Sequence, residues 1–187
     1  MLTVNFNPFP LLKTERLTLR EIETSDAGEI FVLRSDERVM RFIDRPRAES
    51  LEDAAKIIEL ITENQAKNDG VAWAITLSGD ARLIGSIGFW KIQKENYRAE
   101  IGYMLNADYH GRGIMHEAVG AVLAYGFDEM NLHSVEANVN PENAASIRLL
   151  EKNGFVREAY FKENYYYDGR FLDSAIYSLL TTRAKKD

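Results

Sequence analysis

The sequence contains no cysteine. This excludes disulfides, thiolate metal ligands and a cysteine nucleophile, so a covalent intermediate would need another residue type. No apolar run approaches the roughly 20 residues that cross a bilayer, and the opening MLTVNFNPFP lacks the charged-then-apolar layout of a secretory signal. The expected location is the cytoplasm, with no membrane partner. Positive charge is scarce: 23 lysines and arginines face 29 aspartates and glutamates, a net charge of −6. That balance argues against direct nucleic-acid binding and is compatible with a basic partner.

Several well-known signatures also fail. The run Gly111-Arg112-Gly113-Ile114-Met115-His116 lacks the third glycine of a dinucleotide fingerprint, and no Gly-Lys-Ser/Thr closes a nucleotide-triphosphate loop. Ser86, in Ile84-Gly85-Ser86-Ile87-Gly88, reads as strand and not as a nucleophile elbow. His116-Glu117 begins a zinc-protease pattern, but Gly120 stands where the second histidine belongs. No metal site is expected, and Glu117 is left to complement the first turns of its helix.

What is present is enough apolar content, 45% of 187 residues, to bury one core, so residues 1–187 are expected to form a single domain. Leu17 and Leu19 mark a strand over residues 15–22, and Thr24-Ser25-Asp26 opens a short helix reaching about Arg34. Ser50 and Asp53 form a capping box for a helix to Lys67. Three strands follow as an antiparallel meander over residues 71–77, 83–92 and 98–105. A helix from Ile114 reaches about Met130, a strand spans 133–138, and Pro141 suits the first turn of another helix that Gly154 ends. Residues 155–167 and 170–180 make a hairpin about Asp168-Gly169, and the closing Lys185-Lys186-Asp187 is expected to fray. The order predicts an α/β (α+β) fold on a mixed, mostly antiparallel sheet.

Two segments carry candidate chemistry. The stretch Tyr109-His110-Gly111-Arg112-Gly113-Ile114-Met115 lies between a strand and a helix. A helix start offers unpaired N–H groups and partial positive charge, and glycines let an anion approach them, although two glycines there also serve ordinary turn chemistry. Downstream, Asn143 and Ser146 share a helix face near its start, where they equally suit helix capping. On the strand before the loop, alternation puts Glu100 with Gly102 and Met104, opposite Ala99, Ile101, Tyr103 and Leu105. Glu100 is either a surface residue or a general base.

Taken together, TERLTLRE, AEIGYML, HGRGIM and NPENAASIRLLEKNGFVREA resemble the GNAT superfamily of acyl-CoA-dependent N-acyltransferases along nearly the whole chain, and within it the branch of ribosomal-protein N-terminal acetyltransferases. Against the family motif Gln/Arg-x-x-Gly-x-Gly/Ala, His110 and Met115 are departures. The resemblance implies a GNAT fold with helices on both faces of a sheet that splays at the coenzyme A site. It implies acetyl-CoA as co-substrate, with its pyrophosphate on the loop His110, Gly111, Arg112, Gly113, Ile114 and Met115. Pantetheine would lie along the strand ending in Met104 and Leu105, one of whose N–H groups polarises the thioester carbonyl. It implies Asn143 at pantetheine, Ser146 as acid to the departing thiolate and Glu100 as general base. Other members use a tyrosine seven residues after the asparagine as acid, and Leu150 occupies that position here. The implied acceptor is a primary amine, foremost a protein N-terminus such as that of a ribosomal protein, by direct attack in a ternary complex. A small amine (polyamine, amino acid or aminoglycoside) and a non-catalytic acyl-CoA-binding module are the alternatives. A homodimer is left open. Trp90, Tyr165, Tyr166, Tyr167 and Asp173 are further candidates for the acceptor side, with packing as their ordinary use.

Overall fold

A computed structural model describes residues 1–182; Lys185-Lys186-Asp187 lies outside them. Its elements in chain order are β1 (Leu12–Lys13), β2 (Leu17–Glu21), α1 (Ala27–Ser35), α2 (Glu37–Met40), α3 (Leu51–Ala66), β3 (Val71–Leu77) and β4 (Gly85–Gln93). They continue with β5 (Arg98–Leu105), α4 (Ile114–Asp128), β6 (Ser134–Val139), α5 (Ala144–Lys152), β7 (Val156–Tyr167) and β8 (Arg170–Leu180). The strands form one sheet in the order β1-β2-β3-β4-β5-β6-β8-β7.

The sheet is covered on both faces. On one face, α4 contributes Ile114, Ala118, Val119 and Val122, and α5 contributes Leu150, to a cluster with Ala99 and Ile101. Ile30 and Leu33 of α1 and Ala54 and Ile58 of α3 cover the other face, with Met104 and Trp90 packed against them. β3 sits between these layers, which is why VAWAITL is apolar at nearly every position. Trp73 anchors it, fully buried, edge-on to Phe9, Phe89 and Tyr125 at ring separations of 6.0, 6.4 and 5.4 Å. Aromatic pairs of this kind add about 0.5–1.5 kcal/mol each beyond area burial.

Local signals account for most element ends. Ser50 Oγ accepts from the Asp53 N–H at 3.2 Å, and Asp53 Oδ2 accepts from the Ser50 N–H at 3.1 Å, which completes the expected box. Asp168 and Gly169 have φ of +47° and +79°, as a two-residue hairpin turn requires. Three details differ from the sequence reading. β1 and α2 were not foreseen, being only two and four residues long. β4 begins at Gly85, not Leu83. Pro141 lies outside the helix, because the Asn143 N–H donates to the Asn140 carbonyl at 2.8 Å and makes Pro141 the second residue of a turn. The helix therefore starts at Ala144, with Asn143 as its cap.

One interruption organises the molecule. β5 and β6, the only parallel neighbours among the described strands, pair through Arg98–Ser134, Ala99–Val135 and Glu100–Glu136, and there the pairing stops. β5 continues to Leu105 beside β4, and β6 continues to Val139 beside β8. The sheet opens as a V whose closed end is Glu100–Glu136 and whose arms lead to the glycine loop and to α5.

Candidate active site

At the open end of the V, Gly111 and Gly113 both have φ of +74°, a left-handed conformation that side-chain-bearing residues rarely adopt. Gly113 is the N-cap of the 15-residue α4 and supplies no side-chain cap. The first N–H groups of α4 thus meet the exposed Gly111–Gly113 segment without an internal acceptor. Ile114 and Met115 turn their side chains into the core, 5% and 9% exposed. Met115 is therefore a packing residue that still has a backbone N–H to offer. His110 folds back so that Nε2 lies 2.9 Å from the Leu105 carbonyl, which braces the loop against β5. Arg112 stacks over Tyr109 at 5.4 Å.

The loop is anchored from the opening TER segment. Glu117 of α4 accepts from Thr14 Oγ1 at 2.5 Å, from the Arg16 N–H at 2.9 Å and from Arg16 Nε at 2.6 Å. Arg16 Nη1 also donates to the Arg112 carbonyl at 3.0 Å. Burial pushes the Glu117 carboxyl up, but the Thr14 hydroxyl and the Arg16 N–H and guanidinium together outweigh it and hold the carboxyl below its ordinary range. Beyond the helix-dipole role expected of it, Glu117 ties the β1–β2 turn to the glycine loop.

Along the V, backbone direction decides which donors are available. The Asn106 N–H donates to the Ile84 carbonyl at 2.8 Å, and the register pairs Ser86 with Met104. Alternation then turns the N–H groups of Met104 and Gly102 toward β4 and those of Tyr103 and Leu105 into the gap. Of the two donors expected from sequence, Leu105 faces the gap. Met104 does not, and its side chain joins the α1–α3 cluster.

At the closed end, Glu100 and Glu136 are register partners on one face. Lys91 Nζ contacts Glu100 Oε2 at 2.6 Å, and Arg98 pairs with Glu136. Lys91 sits at a β4 irregularity with φ of +47° and is 70% exposed, so its hold on Glu100 is weak. Glu136 was not singled out from sequence.

On the opposite face, Asn143 Oδ1 accepts the Ser146 N–H at 3.1 Å as the cap of α5. Ser146 Oγ lies 2.7 Å from the hydroxyl of Tyr103, which reaches it from β5. Burial pushes the Tyr103 phenol up to about 12, with the Ser146 bond drawing it partly back. Sequence reading missed Tyr103, although its alternation opposite Glu100 already aimed it at the α4–α5 face. Leu150 is fully buried in the core.

The remaining candidates divide. Asp173 is engaged within the hairpin, accepting from the Tyr160 hydroxyl and from the Glu163 N–H at 2.7 Å. Tyr165 bonds to Asp44 of the α2–α3 loop, whereas Tyr166 is exposed and packs edge-on to Phe171. Trp90 closes over Gly102: a Cβ there would lie 2.7 Å from its Nε1. Ser86 is within β4, as its sequence context predicts.

Comparison with known proteins identifies the family to which this fold belongs. The family model "Acetyltransferase (GNAT) domain" matches residues 16–156. The "Uncharacterized N-acetyltransferase YoaA" of Bacillus subtilis is 35% identical over 94% of this chain and 99% of its own length. The crystal structure of a GNAT-family acetyltransferase from Bacillus anthracis is 33% identical, covering 91% of this chain and 98% of that one with a TM-score of 0.81. Two further relatives have named acceptors. Spermidine N-acetyltransferase from Vibrio cholerae, solved with CoA and spermine, is 25% identical over 89% of this chain and 96% of that one, with a TM-score of 0.79. The ribosomal protein uS5-alanine N-acetyltransferase of Escherichia coli is 30% identical over 54% of this chain and 53% of its own. The chain belongs to the GNAT acetyltransferase family and is an acetyl-CoA-dependent N-acetyltransferase.

Proposed function

We propose that the chain transfers acetyl from acetyl-CoA to the α-amine of a protein N-terminus, by direct attack in a ternary complex. The observation that carries the chemistry is the placement of Glu100 and Ser146 on opposite faces of the V, with the Tyr103 and Leu105 N–H groups between them. Coenzyme A runs from the α4 N-terminus, at His110 to Met115, along β5 past Leu105 and Met104, and beside the Asn143 amide. Carbonyl polarisation comes from a gap-facing N–H, with Leu105 favoured over Met104.

The amine approaches on the Glu100 face. An N-terminal amine, with a reference pKa of about 7.7–8.0 against about 10.4 for lysine, is substantially neutral near pH 8 and needs little base strength. Glu100, freed from Lys91 or acting through water, takes its proton as the C–N bond forms. The C–S bond then breaks on the Ser146 side. A thiol has a reference pKa of about 8.5, so an aliphatic hydroxyl does not give up its proton outright to the thiolate. Ser146 supplies a hydrogen bond to sulfur, and the proton that ends there is the one the amine released, returned through water.

Charge on the acceptor side favours a protein N-terminus over a polycation. Residues 34–47 hold five arginines and three carboxylates. Asp36 is occupied by Arg38 at 2.6 Å and Asp44 by Tyr165. Arg34 has a buried Nε with no hydrogen-bond partner among the described residues and Arg45 beside it as a like charge. This segment joins the two arms of the V, through Arg38–Asp108 at 3.3 Å and through Asp44–Tyr165. With Arg38 held by Asp36 and Asp108 and Arg47 facing Glu37, the segment keeps a positive excess of about two charges, which disfavours a polycation.

Thiol release measured with a panel of N-terminal peptides, spermidine, free amino acids and an aminoglycoside tests the assignment. Turnover of peptides above small amines is expected. Turnover confined to the small amines would overturn the acceptor, and acetyl-CoA binding without turnover of any amine would leave a binding module.

A further inference from the structure

Ser146 stands in the first turn of α5, so its hydroxyl has no preceding helical turn to bond back to. Its side-chain partner is the Tyr103 hydroxyl at 2.7 Å, brought from the other arm of the V and 43 residues earlier in the chain. The two hydroxyls are the one side-chain hydrogen bond among the described residues that joins β5 to α5 across the gap.

We propose that Tyr103 is a positioning residue for Ser146: its phenol donates to Ser146 Oγ, fixes the serine rotamer, and leaves the serine proton aimed at the departing sulfur. The direction follows from acidity. A phenol, with a reference value near 10, is a stronger acid than an aliphatic alcohol and is the better donor of the pair. With Ser146 Oγ accepting from Tyr103, the serine hydrogen is free for a third group, and a hydroxyl that accepts one bond donates a stronger one. The Asn143 cap fixes the Ser146 backbone while Tyr103 fixes its side chain, so the donor is set before sulfur arrives. Burial keeps the phenol protonated through the working range, so the serine-to-phenolate bond that would draw it back does not form there and the phenol stays the donor.

This inference rests on the reading of Ser146 as the group facing sulfur, and a double-variant cycle separates the two. Tyr103→Phe keeps the ring and its packing and removes only the hydroxyl. Steady-state rates of acetyl-CoA consumption are measured for the wild-type chain, Tyr103→Phe, Ser146→Ala and the double variant, with circular dichroism and calorimetric acetyl-CoA titration on each to establish folding and co-substrate binding. Ser146→Ala is expected to lower kcat by about 10–100-fold, and Tyr103→Phe by about 3–10-fold, with KM for acetyl-CoA unchanged. In the Ser146→Ala background, Tyr103→Phe should add nothing. The inference is overturned if Tyr103→Phe leaves kcat unaltered, lowers it by the same factor in both backgrounds, or acts only on KM. Full turnover by Ser146→Ala removes the serine reading itself, and a tyrosine effect surviving there makes Tyr103 the direct donor.

Discussion

Replacing Glu117 by Gln isolates the electrostatic part of the clamp that holds the glycine loop. The amide keeps the shape of the carboxylate but loses its charge and turns one oxygen into an N–H₂. Glu117 receives three donors at 2.5, 2.9 and 2.6 Å, two on Oε1 and one on Oε2, and its side chain is only 19% exposed. Whichever way the amide sits, at least one donor then faces a donor. Hydrogen bonds to a charged group contribute about 1.5–3 kcal/mol each, and Arg16 is 48% exposed, so its share is discounted for solvent screening. The expected cost at pH 7 is about 2–3 kcal/mol in urea unfolding. Because Arg16 also holds the Arg112 carbonyl, acetyl-CoA should bind about 5–30-fold more weakly by calorimetry, equivalent to about 1–2 kcal/mol of loop ordering. The folded carboxyl is held below its ordinary value, so its contribution is present above that value and lost as pH falls through the folded one. The deficit of the Gln variant should therefore shrink below about pH 4. An unchanged urea midpoint at pH 7 would refute the clamp, and an equal deficit at acid pH would make it packing alone.

Tyr103 carries an alkaline signature of its own. Its folded value of about 12 lies above an unfolded value near 10, so the unfolded chain ionises first. Stability from this group is constant below pH 10 and falls by about 1.4 kcal/mol per pH unit from 10 to 12, a slope that Tyr103→Phe should lack in urea titrations. Two glycines of α4 should respond oppositely to alanine. Gly120 has nothing within 4 Å of an added Cβ, so Gly120→Ala should stabilise by about 1 kcal/mol, seen as a raised thermal midpoint. At Gly126 the added atom would lie 2.7 Å from Phe89 Cζ and 3.2 Å from Leu132 Cδ1, and Gly126→Ala should destabilise by about 1–3 kcal/mol.

Much of the candidate site's local geometry was legible in the sequence, because its parts are local. The left-handed loop needs Gly111 and Gly113, a helix start needs a residue such as Asn143, and alternation alone assigns Glu100 and Tyr103 to opposite faces. Long-range pairs were not legible. Nothing near Thr14 and Arg16 points to Glu117, about 100 residues away, nor does Tyr103 name Ser146. Pro141 was misplaced for a related reason: proline suits a helix start and a turn equally well, and the Asn140–Asn143 hydrogen bond decides between them.

By itself the sequence determined the order of strands and helices, the glycine loop feeding α4 and the resemblance to an acyl-CoA-dependent family, since hydrophobic period, turn chemistry and motif spacing act within a few residues of one another. The tertiary structure decided where β5 parts from β6, which backbone N–H groups face that gap, that Met115 packs while Gly113 leaves the helix end open, and that Tyr103 meets Ser146. Those outcomes depend on register and on contacts between distant segments, which only the folded sheet brings into range.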